Sequence, residues 1–264
     1  MWSKRTVLTV AAVAALALAG CSSGKKASTT PSGGASSPAV TGDLTVLAAS
    51  SLTGTFTKLG QEFEAAHPGT KVTFSFGASS TLAQQIVQGA PADVFASASA
   101  STMKAVTDAN DASGTPTVFV RNQLVIAVPP GNPKHITGLA DLTKPGLKVV
   151  ECAKGVPCGD AAVKALTVAN VTLTPVSFAQ DVKSALSTVE LGEADAALVY
   201  RTDAIASGGK VTGVEFPESA GAITDYPIAA LAHASNPTAA QAFVAFVLSP
   251  ASISELTAAG FQKP

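Results

Sequence analysis

The chain has 264 residues, 47% of them hydrophobic, with 17 Lys and Arg against 18 Asp and Glu. That length allows one large domain or two modest ones. No basic cluster appears anywhere beyond the first few residues, which argues against nucleic acid, whose phosphates demand grouped Lys and Arg, and means that an anion bound here is held by neutral donors.

At the N-terminus, Lys4 and Arg5 precede an unbroken Val, Leu, Ala and Thr run from Val7 to Ala19. The run is shorter than the roughly 20 apolar residues of a membrane span, so it reads as the apolar region of an export signal. It ends in Leu18-Ala19-Gly20-Cys21, which resembles the bacterial lipobox, where the cysteine is lipidated and becomes the mature N-terminus. The expectation is a signal peptide over 1–20, an acyl anchor on Cys21, and a location on the outer face of the cytoplasmic membrane. Without Lys4 and Arg5 the mature chain keeps 15 basic against 18 acidic side chains, a net charge of about −3. From Ser22 to Thr41 the chain is mostly Ser, Gly, Thr, Pro and Lys, a flexible tether that cannot bury a core.

The folded part starts near Gly42. Strand Leu44–Ala48 leads into a helix with Leu52, Phe56, Leu59 and Phe63 on one face, stopped by His67-Pro68-Gly69. Strand Lys71–Phe76 follows, then a helix from Ser80 carrying Leu82 and Ile86, a short strand Pro91–Ala96, and a helix capped by Ser99. The apolar strand Gln123–Val128, closed by Pro129-Pro130-Gly131-Asn132-Pro133, marks the passage to a second lobe. There a short helix (Leu139–Leu142), a strand (Leu147–Glu151), a helix opened by Pro157-Cys158-Gly159, a helix over Asp181–Leu191 and the strands Ala194–Tyr200 and Val211–Phe216 are predicted. Strand Tyr226–Leu231 and helices Thr238–Leu248 and Ala251–Ala259 then return to the first lobe. The alternation predicts an α/β protein with mostly parallel sheets. It divides into lobe 1 (42–122 plus 227–264) and lobe 2 (123–226), with a hinge and a cleft between. No internal repeat is detectable.

Two junctions share one pattern: Leu44-Thr-Val-Leu-Ala-Ala-Ser-Ser-Leu52 and Val72-Thr-Phe-Ser-Phe-Gly-Ala-Ser-Ser-Thr-Leu82 each run from an apolar strand through serine into a helix. Such a serine can cap the helix or leave its free N–H groups and positive dipole end open to an anion. Pro157-Cys158-Gly159 and Gln180-Asp181-Val182 open two further helices, so four N-termini could converge on the cleft. Tyr200 adds a phenolic donor at a strand's carboxyl end, the edge where α/β sheets bind ligands. A site made of donors alone suits a dianion without a proton and penalises hydrogen phosphate, whose own O–H would lack an acceptor. Sulfate, molybdate and tungstate fit that rule. Cys152 and Cys158 are close enough to oxidise outside the cytoplasm. His67, His135 and His233 lie in unrelated contexts, which speaks against a Cys/His metal site.

Ala-Ala-Ser-Ser-Leu (48–52), Phe-Gly-Ala-Ser-Ser-Thr-Leu-Ala-Gln-Gln-Ile (76–86), Gly-Ala-Pro-Ala-Asp-Val-Phe-Ala-Ser-Ala (89–98), Val-Pro-Cys-Gly (156–159), Asp-Val-Lys-Ser-Ala-Leu (181–186), Leu-Val-Tyr-Arg-Thr-Asp-Ala (198–204) and Phe-Pro-Glu (216–218) resemble the molybdate-binding proteins of bacterial ABC transporters, in order and over nearly the whole folded part. The resemblance implies the two-lobed class II periplasmic-binding-protein fold, closing on its ligand by hinge motion. Carried over by position, it places the ligand contacts on Ser51 and Ser79 from one lobe. From the other come the backbone N–H groups of Cys158 and Val182 and the Tyr200 hydroxyl. Ser50 and Ser80 are the neighbours that would serve in a register shifted by one. Where some members have alanine, this chain has Cys158, and a Cys152–Cys158 disulfide would stiffen that wall of the site. The implied function is capture of molybdate, and of tungstate, for a membrane permease and its ATPase, by a monomer anchored through its lipid, with no catalysis, no cofactor and no metal ligated by side chains. Three other readings stand beside it. One is a receptor for sulfate or another oxyanion. A serine hydrolase using Ser79 or Ser51 is the second, although Gly77-Ala78-Ser79-Ser80-Thr81 fails the Gly-x-Ser-x-Gly elbow. The third is a ferric-iron receptor, for which Tyr200 and Tyr226 are the available tyrosines.

Overall fold

Ten strands and eight α-helices build two sheets in the computed structural model, which describes residues 39–264. The expected signal peptide, Cys21 and the tether up to residue 38 lie outside the described residues. Its last residues are already tied down: Val40 O accepts from Thr70 Oγ1 at 3.1 Å and Thr41 O from Asn236 Nδ2 at 2.7 Å.

The first sheet begins with β1 (Gly42–Ala49), whose Leu44, Val46 and Ala48 are fully buried and whose Leu47 is nearly so. Such a continuous apolar run marks a central strand covered on both faces. β1 pairs in parallel with β2 (Thr70–Gly77) and β3 (Val94–Ala96). Beyond β3 lie β10 (Thr224–Leu231) and then β4 (Ala112–Asn122), each antiparallel to its neighbour. Helix α1 (Thr53–Ala66) lays Phe56, Leu59 and Phe63 on the sheet beside α7 (Pro237–Val247). There Phe56, Phe119 and Phe243 meet with ring centroids 5.8–6.2 Å apart. A second, smaller core joins α2 (Ser79–Val87) and α3 (Ala100–Asp108) to the sheet through Leu47, Leu82, Ile86, Phe95 and Val106. The last helix, α8 (Pro250–Ala258), also packs here, against β4.

The second sheet has the order β7-β6-β8-β5-β9, formed by β5 (Leu124–Val128), β6 (Val149–Cys152), β7 (Ser177–Ala179), β8 (Ala196–Tyr200) and β9 (Thr212–Val214). Helices α4 (Pro157–Ala169), α5 (Val182–Glu190) and α6 (Arg201–Ala206) cover it. The two-lobed α/β arrangement expected from sequence is present, but each sheet is mixed rather than mostly parallel. The reason is the chain's path. Strands β5 and β10, which follow the two passages between sheets, enter antiparallel to their neighbours, while β1–β3 and β6–β8 keep the parallel βαβ order. β10 begins at Thr224, so Thr224, Asp225 and Tyr226 pair with β4 in the first sheet, three residues ahead of the boundary drawn from sequence.

The passages are cross-tied near the C-terminus. Arg121 and Gln262 exchange backbone hydrogen bonds of 2.7 and 2.8 Å, Gln262 Nε2 donates to Gln123 Oε1 at 2.8 Å, and Gln123 Nε2 donates to Ser219 Oγ at 2.6 Å. Among the described residues no single helix is long and apolar enough to cross a membrane.

Candidate functional site

Ser51 lies in a 3-10 turn (Ser50–Leu52) that carries β1 into α1; Ser79 is the first residue of α2, Cys158 the second of α4, Val182 the first of α5, and Tyr200 the last of β8. All five line one small cavity between the two sheets, in which about 10 Å³ is open to the centre of a water molecule. That is about the space one water molecule needs. Ser50 lines it as well, whereas Ser80 lies in a separate hollow with Gln84 and Ser101. The strand-to-helix turns explain the convergence. In both sheets the parallel strands end at the same edge, and each following helix starts there with N–H groups that no residue of its own helix can accept from.

The wall formed by α4 is pressed against the loop after β6. A side chain at Gly159 would place its Cβ 2.1 Å from the Ala153 carbonyl oxygen, so only glycine fits at this approach. Cys152 and Cys158 are bonded through sulfur at 2.02 Å, tying the end of β6 to the first turn of α4.

The hydroxyls are held by partners behind the cavity. Ser79 Oγ accepts from the Ala98 N–H at 2.9 Å, which leaves its proton for the cavity. Ser51 Oγ lies 2.8 Å from Tyr226 Oη. Tyr200 is 1% exposed, and its hydroxyl makes no well-formed hydrogen bond among the described residues, although the Thr224 and Tyr226 hydroxyls stand near enough to favour its charged form slightly. No Lys, Arg or His lines the cavity. Its one carboxylate, Asp181, accepts from Ser184 N–H at 2.9 Å and so caps α5.

A profile of the bacterial extracellular solute-binding protein family matches residues 44–262, essentially the whole described part. The chain belongs to that family. Among relatives of this solute-binding protein, the molybdate-binding protein ModA of Mycobacterium tuberculosis H37Rv is 44% identical over 257 residues, covering 97% of this chain and 96% of the relative. The molybdate-binding protein ModA of Escherichia coli K12 is 34% identical over 219 residues, covering 79% and 84%. The structure of the periplasmic molybdate-binding protein of Azotobacter vinelandii superposes with a TM-score of 0.75 at 24% identity, covering 84% of this chain and 99% of that one. At that identity the likeness speaks for the fold: two lobes in the periplasmic-binding-protein arrangement.

The electrostatics of this solute-binding protein's cavity follow from burial. Burial, with the nearby Asp203 carboxylate adding to it, pushes the Tyr200 phenol well above its ordinary value, so Tyr200 is a proton donor at physiological pH. Asp203 is itself fully buried under the first turn of α6, and its pKa is pushed up to about 6 by burial, against the pull of Lys183, whose Nζ lies 3.0 Å from Oδ1.

Sequence reasoning did not find the supporting partners of the two serines, Ala98 at the cavity wall and Tyr226 behind Ser51, nor Asn122 beside Tyr226. Tyr226 stood in a predicted strand, and only the pairing of β10 in the first sheet brings it behind Ser51. Asn122 ends β4, a strand not predicted at all.

Proposed function

We propose that this chain is an extracytoplasmic, lipid-anchored receptor that binds molybdate, and tungstate, and hands it to an ABC permease driven by its ATPase. The observation that carries the reading is the buried Tyr200 hydroxyl, which makes no well-formed hydrogen bond among the described residues and lines a cavity without Lys, Arg or His. A buried hydroxyl left unpaired costs about 1–3 kcal/mol, and a tetrahedral oxyanion would supply its acceptor. Ser51, Ser79 and the N–H groups of Cys158 and Val182 would serve the remaining oxygens. The names carried by the curated relatives support molybdate as the anion. No catalysis belongs to this reading.

Two alternatives lose support from the geometry. A serine nucleophile needs a base within hydrogen-bond reach, but the partners of Ser51 and Ser79 are a phenol and a backbone N–H. Ferric iron would need phenolates. Tyr200 and Tyr226 do stand together, with ring centroids 5.9 Å apart. Burial raises both phenols, however, Tyr226 is bonded to Ser51, and the described residues contain no cluster of three His, Cys, Asp or Glu side chains.

The test is thermal unfolding of the chain from Ser22 onward with molybdate, tungstate, sulfate or phosphate. At a hundredfold excess over its dissociation constant a ligand adds about 2.7 kcal/mol of stability, which for a chain of this size raises Tm by roughly 5–10 °C. A rise with molybdate and tungstate alone is expected. An equal rise with sulfate would make this a general oxyanion receptor, and no rise with any of the four would remove the anion site.

A further inference from the structure

No cation lines the anion cavity, yet one is built in close behind it. Lys183 is the second residue of α5, next to Val182, which lines the cavity. Lys183 itself lines a second hollow, of about 370 Å³, formed by α1, α5, α6 and α8 together with Phe261. Ser51 borders both spaces.

Asp203 governs where that ammonium goes. It is the third residue of α6, fully buried, and Lys183 Nζ lies 3.0 Å from its Oδ1. Neither carboxylate oxygen makes a well-formed hydrogen bond among the described residues, so Lys183 is the partner that offsets its charge. That charge reaches the site: after burial, the main cause, it helps to raise the phenols of Tyr200 and Tyr226. A buried carboxylate there opposes an incoming anion, and an unpaired ammonium would attract one, each more strongly than in water. Paired, the two nearly cancel. Other cations nearby are matched too, Lys58 with Glu255 at 3.0 Å and Arg201 with Glu215 at 2.6 Å. Asp160 and Asp181, at the starts of α4 and α5, add negative neighbours, so one unpaired cation would change the balance.

We propose that Asp203 is a positioning residue that sets anion affinity: it neutralises Lys183 behind Ser51 and so keeps an uncompensated cation away from the bound anion. This role rests on the oxyanion reading above. A receptor that hands its cargo on must also let go of it. Donors divided between two lobes release the anion when the lobes part, whereas an unpaired ammonium on α5 would stay with it and retain it. The pair therefore belongs to release as much as to capture, and its two members act on affinity with opposite sign.

The test is molybdate affinity, by calorimetry at pH 8 in low and in high sodium chloride, for the wild-type chain, Asp203→Asn, Lys183→Met and the double variant. Asp203→Asn unpairs the ammonium and should bind roughly threefold tighter or better, the gain shrinking as salt rises. Lys183→Met leaves the carboxylate unpaired and should bind roughly threefold weaker or worse. The double variant carries neither charge and should lie within about twofold of wild type. A pair that only braced the wall would instead give losses in both single variants. An Asp203→Asn chain that binds no tighter, or a double variant as tight as Asp203→Asn, would overturn the role of the pair and leave the oxyanion site standing. A wild-type chain that binds no molybdate would overturn the reading beneath it. Should Lys183→Met, with its unpaired buried carboxylate, fail to fold, Asp203→Asn and the double variant decide.

Discussion

At the scale of single residues, the cavity wall stores hydrogen-bonding capacity that the protein does not use. Tyr200 is the clearest case, and it gives a prediction in which binding and stability move in opposite directions. Tyr200→Phe removes a buried hydroxyl that makes no well-formed hydrogen bond among the described residues. Stability without ligand should hold or rise by about 1 kcal/mol, while anion affinity drops by about 1–3 kcal/mol; denaturant unfolding and calorimetry on the same preparation check both signs. Asp203 gives the second. Its carboxyl, at 3.8 in an ordinary setting and about 6 here, holds its proton more tightly folded than unfolded. The folded state therefore binds more protons across that interval, and rising pH costs stability. Wild-type stability should fall relative to Asp203→Asn by about 2–3 kcal/mol between pH 4 and pH 6, then run parallel above it. Urea unfolding at a series of pH values reads this directly, and a flat difference would show that Lys183 fully compensates the burial.

At the scale of elements, the strand-to-helix turn is the unit that makes the site, and it is also what the sequence displays best. Apolar runs ending in Ser50-Ser51 or Ala78-Ser79, and the Pro157-Cys158-Gly159 opening of α4, are local signals of a helix start. Which donor turns inward is decided by contacts from elsewhere: Ser79 by Ala98 nineteen residues on, Ser51 by Tyr226 at a separation of 175. No local pattern shows these. Strand β4 was illegible for another reason. Its first half, Ala112-Ser-Gly-Thr-Pro116, is mostly exposed at the sheet edge, where proline and glycine are tolerated and alternation is lost. The α4 turn carries its own prediction. Replacing Cys152 and Cys158 together by serine opens a loop with a sequence separation of 6, which should cost about 2 kcal/mol of stability. Because that bond sits on the first turn of α4, anion affinity should fall as well. A stability loss with unchanged affinity would make the bond purely structural.

At the scale of the whole molecule, two sheets of matching five-strand build face each other across a cavity to which both contribute. The division into lobes could be read from alternating elements, but the antiparallel entry of β5 and β10 could not, because it depends on where the chain passes between sheets rather than on any strand's composition. The cation-free wall has a consequence at this same scale. A site that neutralised its guest with Lys or Arg would leave the complex at nearly the charge of the empty protein. This one supplies no counter-charge, so an oxyanion with two negative charges adds both of them to a chain whose formal net charge is already −1. Loaded and empty molecules are then different objects in an electric field, with the excess concentrated where the lobes meet. Anything that touches both lobes at once can sense whether cargo is aboard without touching the cargo.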